Sequence, residues 1–246
     1  MQDYQAPADL LEDKIILVTG AGQGIGRMAA ETYASHGATV ILLDKSLANL
    51  ESVYDAIEES GSPQPAIYPM DLQKANPDDY ITLNETLEKE FGRLDGLLHN
   101  AAQFKLLSRI DDFDLETWFQ VMQVNLNAPF IITQGCLPLL RKSDSASLIF
   151  TSDTVGRQGK AYWGAYGVSK FGIEGLMQIL SQELENSDIR VNSIDPGPTN
   201  TSMRRLTHPG QDGNTNKNPD KLESLYLWLM GDASKGINGQ AISYSD

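Results

Sequence analysis

Two residues four apart, Tyr166 and Lys170 in the stretch "YGVSK", could carry acid/base chemistry. On a helix this spacing puts both side chains on one face, about one turn apart. A phenol titrates near 10 in isolation, too high for a good base at neutral pH, and an adjacent ammonium favours the phenolate. Such a pair can take the proton of an alcohol or return it to a carbonyl oxygen. Oxidation of the alcohol also needs a group that accepts hydride, and the chain carries a loop suited to holding one.

The segment "VTGAGQGIG" joins an apolar run of strand length to a stretch of helical period. Glycines at such a junction let backbone N–H groups approach a pyrophosphate at a helix N-terminus, where the dipole favours anions. The spacing is T-G-x-x-x-G-x-G, from Thr19 to Gly26, and not G-x-G-x-x-G, because Ile25 stands where that pattern requires glycine. Gly20, Gly24 and Gly26 would form the phosphate loop, with Gly22, Gln23 and Ile25 between them. Asp44 ends the next apolar run, 18 residues after Gly26, where a carboxylate can accept hydrogen bonds from ribose hydroxyls. Its charge would repel a 2'-phosphate and so favours NAD, while Lys45 directly after it keeps NADP open. The competing use of Asp44 is to cap the helix that follows.

The elements that must position these residues follow from periodicity. Apolar runs at 15–20, 39–44, 66–71, 94–101, 147–153, 189–197 and 240–246 alternate with helical segments at 24–35, 47–59, 78–91, 115–140, 162–185 and 221–231. Gly37, Gly61 and Gly92 stand just past three of the helices, where a left-handed cap favours glycine. The alternation predicts an α/β chain with a doubly wound, seven-stranded parallel sheet and helices on both faces. A length of 246 residues with 41% hydrophobic content suits one domain spanning the whole chain. The stretch 201–220, rich in Gly, Asn and Pro, reads as a long mobile loop of the kind that forms a lid.

Composition sets limits on partners. With 33 acidic and 19 basic residues the formal charge is −14, which disfavours nucleic acid and anionic membrane surfaces. The single Cys136 lies in an apolar run, so no intrachain disulfide forms and the thiol is expected in the core. One cysteine and three scattered histidines, His36, His99 and His208, supply no metal-ligand spacing. The N-terminal stretch lacks the basic and apolar regions of a signal peptide, and no apolar run reaches about 18 residues. A soluble, cytoplasmic protein is expected.

In their order along the chain, these motifs resemble those of the short-chain dehydrogenase/reductase family, and the likeness covers nearly the whole length. "VGRQGKAYWGAY" together with "YLWLMGD" is most similar to its bacterial YciK-type oxidoreductases. The resemblance implies the single-domain Rossmann fold and an NAD(P)-dependent exchange of hydride between nicotinamide and a small or medium alcohol or carbonyl substrate. Asp71 and Leu72 would face the adenine. "HNAA" takes the place of the family's N-A-G, with Asn100, Ala101 and Ala102 beside the cofactor and His99 packed near its edge. Pro196, Gly197, Thr199 and Thr201 match the loop at the nicotinamide, and Lys170 would also grip the nicotinamide ribose. Asn125 matches the position that distorts a helix and holds a water of the proton relay, with Asn127 as the fallback. Family members commonly form homodimers or homotetramers through two long helices, here 115–140 and 162–185.

The family's catalytic serine is missing. It lies three residues before a glycine and thirteen before the tyrosine, and from Gly156 and Tyr166 both counts land on Asp153. A carboxylate within about 5 Å of the substrate oxygen would oppose developing negative charge by roughly 3 kcal/mol at an effective dielectric near 20. That corresponds to about two pKa units. Three resolutions stand. Asp153 donates as a neutral acid; Ser152, by a one-residue bulge, or Thr154 swings into the serine's place; or the protein binds NAD(H) without turnover, as a sensor or assembly partner. The residues around the mouth, 103–109, with Arg109, Arg204 and Arg205, also admit an acidic substrate group.

Overall fold

The structure is a computed structural model that describes residues 4–244. Seven strands form one parallel sheet in the order β3-β2-β1-β4-β5-β6-β7. They are β1 (Ile15–Thr19), β2 (Thr39–Asp44), β3 (Ala66–Pro69), β4 (Gly96–His99), β5 (Ala146–Thr151), β6 (Ile189–Asp195) and β7 (Ala241–Ser243). Between them run α1 (Gly24–Ser35), α2 (Leu47–Glu59), α3 (Pro77–Phe91), α4 (Leu115–Met122), α5 (Ala128–Leu140), α6 (Gly164–Glu183), α7 (Ser202–Thr207) and α8 (Glu223–Met230). Among the described residues no helix is long and apolar enough to cross a membrane.

The continuous apolar runs follow from burial on both faces. Leu17, Ile41, Leu43, Leu97, Leu148 and Phe150 point to one side, against α3, α5 and α6. Ile16, Val18, Val40, Leu42, Leu98 and Ile149 point to the other, against α1, α2 and α8. With a side-chain period of two, a strand packed on both faces reads as a nearly continuous apolar run. Cys136 is buried in the first of these layers, and burial pushes its thiol up to about 12.

The strands end earlier than the apolar runs. Gly20, Asn100, Ala101, Asp153, Pro196 and Gly197 follow the C-terminal ends of β1, β4, β5 and β6 and have left the ladder, while Ser152 directly after β5 still donates its N–H to the Ile194 carbonyl. They are the residues that face the cleft or pack beneath it. The last run stops at Ser243, and its positions 245 and 246 lie outside the described residues.

Two other expectations change. The helical segment 115–140 is interrupted by a five-residue π turn at Gln123–Asn127, which carries Asn125. The loop 201–220 is not irregular throughout: it opens with α7, where the Thr201 hydroxyl accepts from the Arg204 N–H at 3.2 Å. Six residues give too short a periodicity to find from sequence, although a threonine N-cap marks the start.

Candidate active site

The phosphate loop is built by close backbone approach. Gly20 and Gly24 have φ of +67° and +57°, a region that favours glycine. A Cβ on Gly20 would meet the Ala101 Cα at 2.8 Å, and one on Gly26 would collide with the Gly20 carbonyl oxygen. The Thr19 hydroxyl accepts from the N–H groups of Asn100 and Ala101, at 3.1 Å each, and so locks the ends of β1 and β4 together. Gly22 and Gly26 do not line the cleft; they permit the packing behind it. Replacing Gly26 with alanine should therefore destabilise the fold by about 2 kcal/mol. A melting temperature unchanged in Gly26→Ala, with cofactor affinity intact, would contradict this account of the loop.

From this loop a cleft of about 890 Å³ runs across the ends of the strands, where ligands of doubly wound sheets bind. Gly20, Gln23, Gly24, Ile25, Asp44 and Lys45 line one end, with Asp71 and Leu72 beside them. Asn100, Ala101, Ala102, Pro196, Gly197, Thr199 and Thr201 line the middle and the far wall. A glycine cradle with no room for side chains, opening on a helix N-terminus, fits a dinucleotide pyrophosphate.

Asp44 is less free than its position in sequence suggests. Its Oδ2 accepts from the Gly22 N–H at 3.2 Å and its Oδ1 from the Ser46 N–H at 3.0 Å. Both oxygens thus tie the phosphate loop to the turn before α2. The helix itself is capped by the Ser46 hydroxyl, which accepts from the Asn49 N–H at 3.3 Å. Lys45 is exposed on the cleft wall.

At the other end, α6 presents Tyr166 and Lys170 on one face, as their spacing requires. The Lys170 ammonium donates to the Thr151 carbonyl at 2.6 Å and lies 5.6 Å from the centre of the Tyr166 ring. Gly156 allows this, since a Cβ there would meet the Lys170 backbone at 2.8 Å. Burial lowers the Lys170 ammonium to about 8, against the opposing pull of Asp153, Glu174 and Asp195.

The carboxylate, and not a hydroxyl, meets the phenol. The Tyr166 hydroxyl donates to Asp153 Oδ2 at 3.1 Å, and Asp153 Oδ1 accepts from the Val155 N–H at 3.0 Å. Burial first, then the charge and hydrogen bond of Asp153, and then the charge of Asp195, push the Tyr166 phenol well above its ordinary value. The bulge that would bring Ser152 forward is absent: β5 pairs with β6 through Thr151, and the Ser152 N–H continues the ladder to the Ile194 carbonyl at 2.7 Å. The Ser152 hydroxyl is buried in the wall without a partner among the described residues. Thr154 is also committed, donating to Asp195 Oδ2 at 2.7 Å.

Asn125 clamps the neighbouring loop. Its Oδ1 accepts from the Gln103 N–H at 2.7 Å, while its Nδ2 donates to the Gln103 carbonyl at 3.0 Å and the Ser169 hydroxyl at 3.1 Å. Asn127 is exposed and bonds to Gln123, so the fallback falls away. His99 packs in the core, stacked on Phe150 and bonded to Thr133, and burial lowers its imidazole to about 3. It does not line the cleft. Arg109 pairs with Asp111 and Arg205 bonds to Asn200, both outside the cleft, which leaves Arg204 at the wall. Asp195, which accepts from Thr154 and from the Gly197 N–H, was not singled out from the sequence, although "IDPG" contains it.

A dinucleotide cradle at one end of a cleft and an adjacent Tyr and Lys at the other define an oxidoreductase of the Rossmann type. The chain belongs to the short chain dehydrogenase family, which it matches over residues 14–212. It is 48% identical over 236 residues to the YciK oxidoreductase of Escherichia coli (strain K12), covering 96% of this chain and 93% of that protein. A short chain dehydrogenase structure from Pseudomonas syringae superposes with a TM-score of 0.96 at 49% identity, covering 98% of each chain. One from Shigella flexneri 2a str. 301, complexed with NADP, gives 0.94 at 46%, covering 96% of this chain and 99% of that one.

Proposed function

We propose that the protein is an NADP(H)-dependent oxidoreductase that interconverts a carbonyl compound and the corresponding secondary alcohol. The observation that carries this reading is the convergence of Tyr166 and Lys170 on the cleft that the phosphate loop opens. The bound nicotinamide would supply or accept the hydride. Tyr166 would give its proton to the carbonyl oxygen, or take one from the alcohol. Lys170 would stabilise the phenolate and bind the nicotinamide ribose. Asn125, through Gln103, would hold the loop that carries Phe104 against the tyrosine. The segment 201–220 would close over the substrate.

NADP(H) replaces NAD as the preferred cofactor in this reading. Asp44 turns both oxygens to backbone N–H groups, and Lys45 lies exposed where a 2'-phosphate would sit. The relative from Shigella flexneri, complexed with NADP, supports the same choice. Loss of reduced-nicotinamide absorbance with a panel of ketones should occur with NADPH at least about tenfold faster, as kcat/KM, than with NADH. Lys45→Gln should weaken NADPH binding about tenfold, the equivalent of one phosphate contact near 1.4 kcal/mol. Equal use of NADH and NADPH by the native protein would remove the NADP reading.

Assembly is part of the proposal. Leu115 and Phe119 of α4, Phe130 of α5 and Phe171 and Ile179 of α6 are exposed, and unpaired apolar side chains on neighbouring helices suit a homo-oligomer. Sedimentation at micromolar concentration tests it, and a 27.0 kDa species alone would refute it.

A further inference from the structure

We propose that the substrate is an anionic carbonyl compound, an apolar and preferably aromatic body bearing a carboxylate that the mouth of the cleft binds through Arg204 and Lys160. This rests on the oxidoreductase reading and names the substrate class for the same site. The floor of that end is aromatic. Phe104, Trp163 and Tyr166 surround one another with ring centres 5.6–5.9 Å apart, and Val155 completes the surface. Such a floor buries an apolar substrate body and holds it against the phenol.

The rim has the opposite character. Lys105 lies in the loop after β4, Lys160 in the segment between β5 and α6 and Arg204 on α7, so three separate segments bring cations to the cleft, and Lys160 and Arg204 act together on His208 at its mouth. Among the described residues none of the three forms an ion pair. Arg204 holds only the neutral Gln211 amide, its Nε and Nη2 donating to Oε1 at 3.0 and 2.7 Å, and Lys160 lies over the Trp163 ring at 5.9 Å. Four other arginines pair with carboxylates, Arg27 with Glu31, Arg93 with Asp95, Arg109 with Asp111 and Arg157 with Glu174, while Arg190 and Arg205 bond to neutral groups away from the cleft. In a chain with 33 acidic and 19 basic residues, cations gathered at the mouth of a cleft above an aromatic floor suit a ligand that brings a carboxylate.

The carboxylates that line the cleft are placed elsewhere. Asp44 and Asp71 lie at the far end, while Asp153 and Asp195 are hydrogen-bonded in the depth, from where the charge of Asp153 still reaches Arg204 without forming an ion pair with it. His208, whose ring centre is 6.0 Å from that of Trp163, reports the resulting potential. Burial, and then the charges of Arg204 and Lys160, hold its imidazole below the ordinary value despite Asp153. The Arg204 guanidinium offers a planar fork that suits a carboxylate, and it can let go of a neutral amide for a charged partner.

The test uses phenylglyoxylate, 3-benzoylpropionate and 4-benzoylbutyrate, each beside its methyl ester, on the native protein and on the double variant Arg204→Gln, Lys160→Gln. Initial rates with NADPH and calorimetric titration of each acid are read, together with NADPH affinity and melting temperature. At least one acid should exceed its ester about tenfold or more in kcat/KM, and the double variant should bring that ratio close to one. Esters reduced as well as acids would overturn the substrate class and leave the redox reading standing. Acids that bind, with at least tenfold weaker binding in the variant and no turnover of any compound, would uphold the anion site and remove the redox reading. No binding of any acid at millimolar concentration would overturn the proposal. So would NADPH affinity that falls in the variant while the acid/ester ratio holds, because the cations would then serve the cofactor phosphates.

Discussion

Tyr166→Phe is expected to lower kcat for carbonyl reduction by about 10²- to 10⁴-fold, the usual contribution of a positioned proton donor. The loss should be nearly pure chemistry. The ring is buried between Phe104 and Trp163, and phenylalanine keeps its shape and its contacts. The missing hydroxyl frees only one oxygen of Asp153, which retains its bond from the Val155 N–H. Affinity for NADPH, measured by quenching of protein fluorescence, should change little. A variant that keeps more than about a tenth of native turnover would show that another group supplies the proton, and Tyr166 would then be a packing residue.

The sequence revealed the parts of the site in which chemistry and backbone coincide. Tyr166 and Lys170 had to share a helix face, and they do. The glycines at 20, 24 and 26 had to stand where a Cβ would collide or φ is positive, and the structure shows both conditions. The parallel sheet and its two helical layers followed as directly, since uninterrupted apolar runs alternating with amphipathic segments have few other solutions.

What the sequence concealed depends on which way a side chain turns. Asp44 stands where a ribose-binding carboxylate belongs, yet its oxygens are claimed by two backbone N–H groups, that of Ser46 two residues on and that of Gly22 in the phosphate loop. His99 directly precedes the asparagine of the cofactor wall, but the strand's period of two sends it to the opposite side, onto Phe150. The same alternation separates Ser152 from Asp153: the Ser152 hydroxyl is buried without a partner among the described residues, and the neighbouring Asp153 carboxylate meets the Tyr166 hydroxyl. Arg109 and Arg204 are equivalent as sequence, and only local carboxylates distinguish them. Asp111 pairs with the first, whereas among the described residues the second forms no ion pair and holds the neutral Gln211 amide, with the charge of Asp153 acting on it from the cleft.

Asp153→Ser is expected to move the rising limb of the pH profile for alcohol oxidation, read as log kcat/KM, to lower pH by one to two units. The sign follows from the hydrogen bond. Oxidation needs the phenolate of Tyr166, and the Asp153 carboxyl raises the phenol through both its charge and its acceptor oxygen. Serine keeps a hydroxyl at the same place and removes the charge, so the phenolate forms at lower pH. A carboxylate about 5 Å from a second charge is worth roughly 3 kcal/mol at an effective dielectric near 20, which corresponds to about two units. Burial, the larger cause, stays, and so the limb should remain above the range of a free phenol lowered by Lys170 alone. At neutral pH this amounts to a gain of about ten- to a hundredfold. Two other outcomes assign Asp153 differently. A rate that falls throughout the pH range would mean that the carboxyl itself donates to the substrate oxygen as a neutral acid, and that serine is the poorer donor. Turnover that appears only in the serine variant would mean that the native protein holds its cofactor with the proton relay blocked. That reading of a binding protein without chemistry has Asp153 as its chief support, with Ala102 in place of the usual glycine as the lesser one.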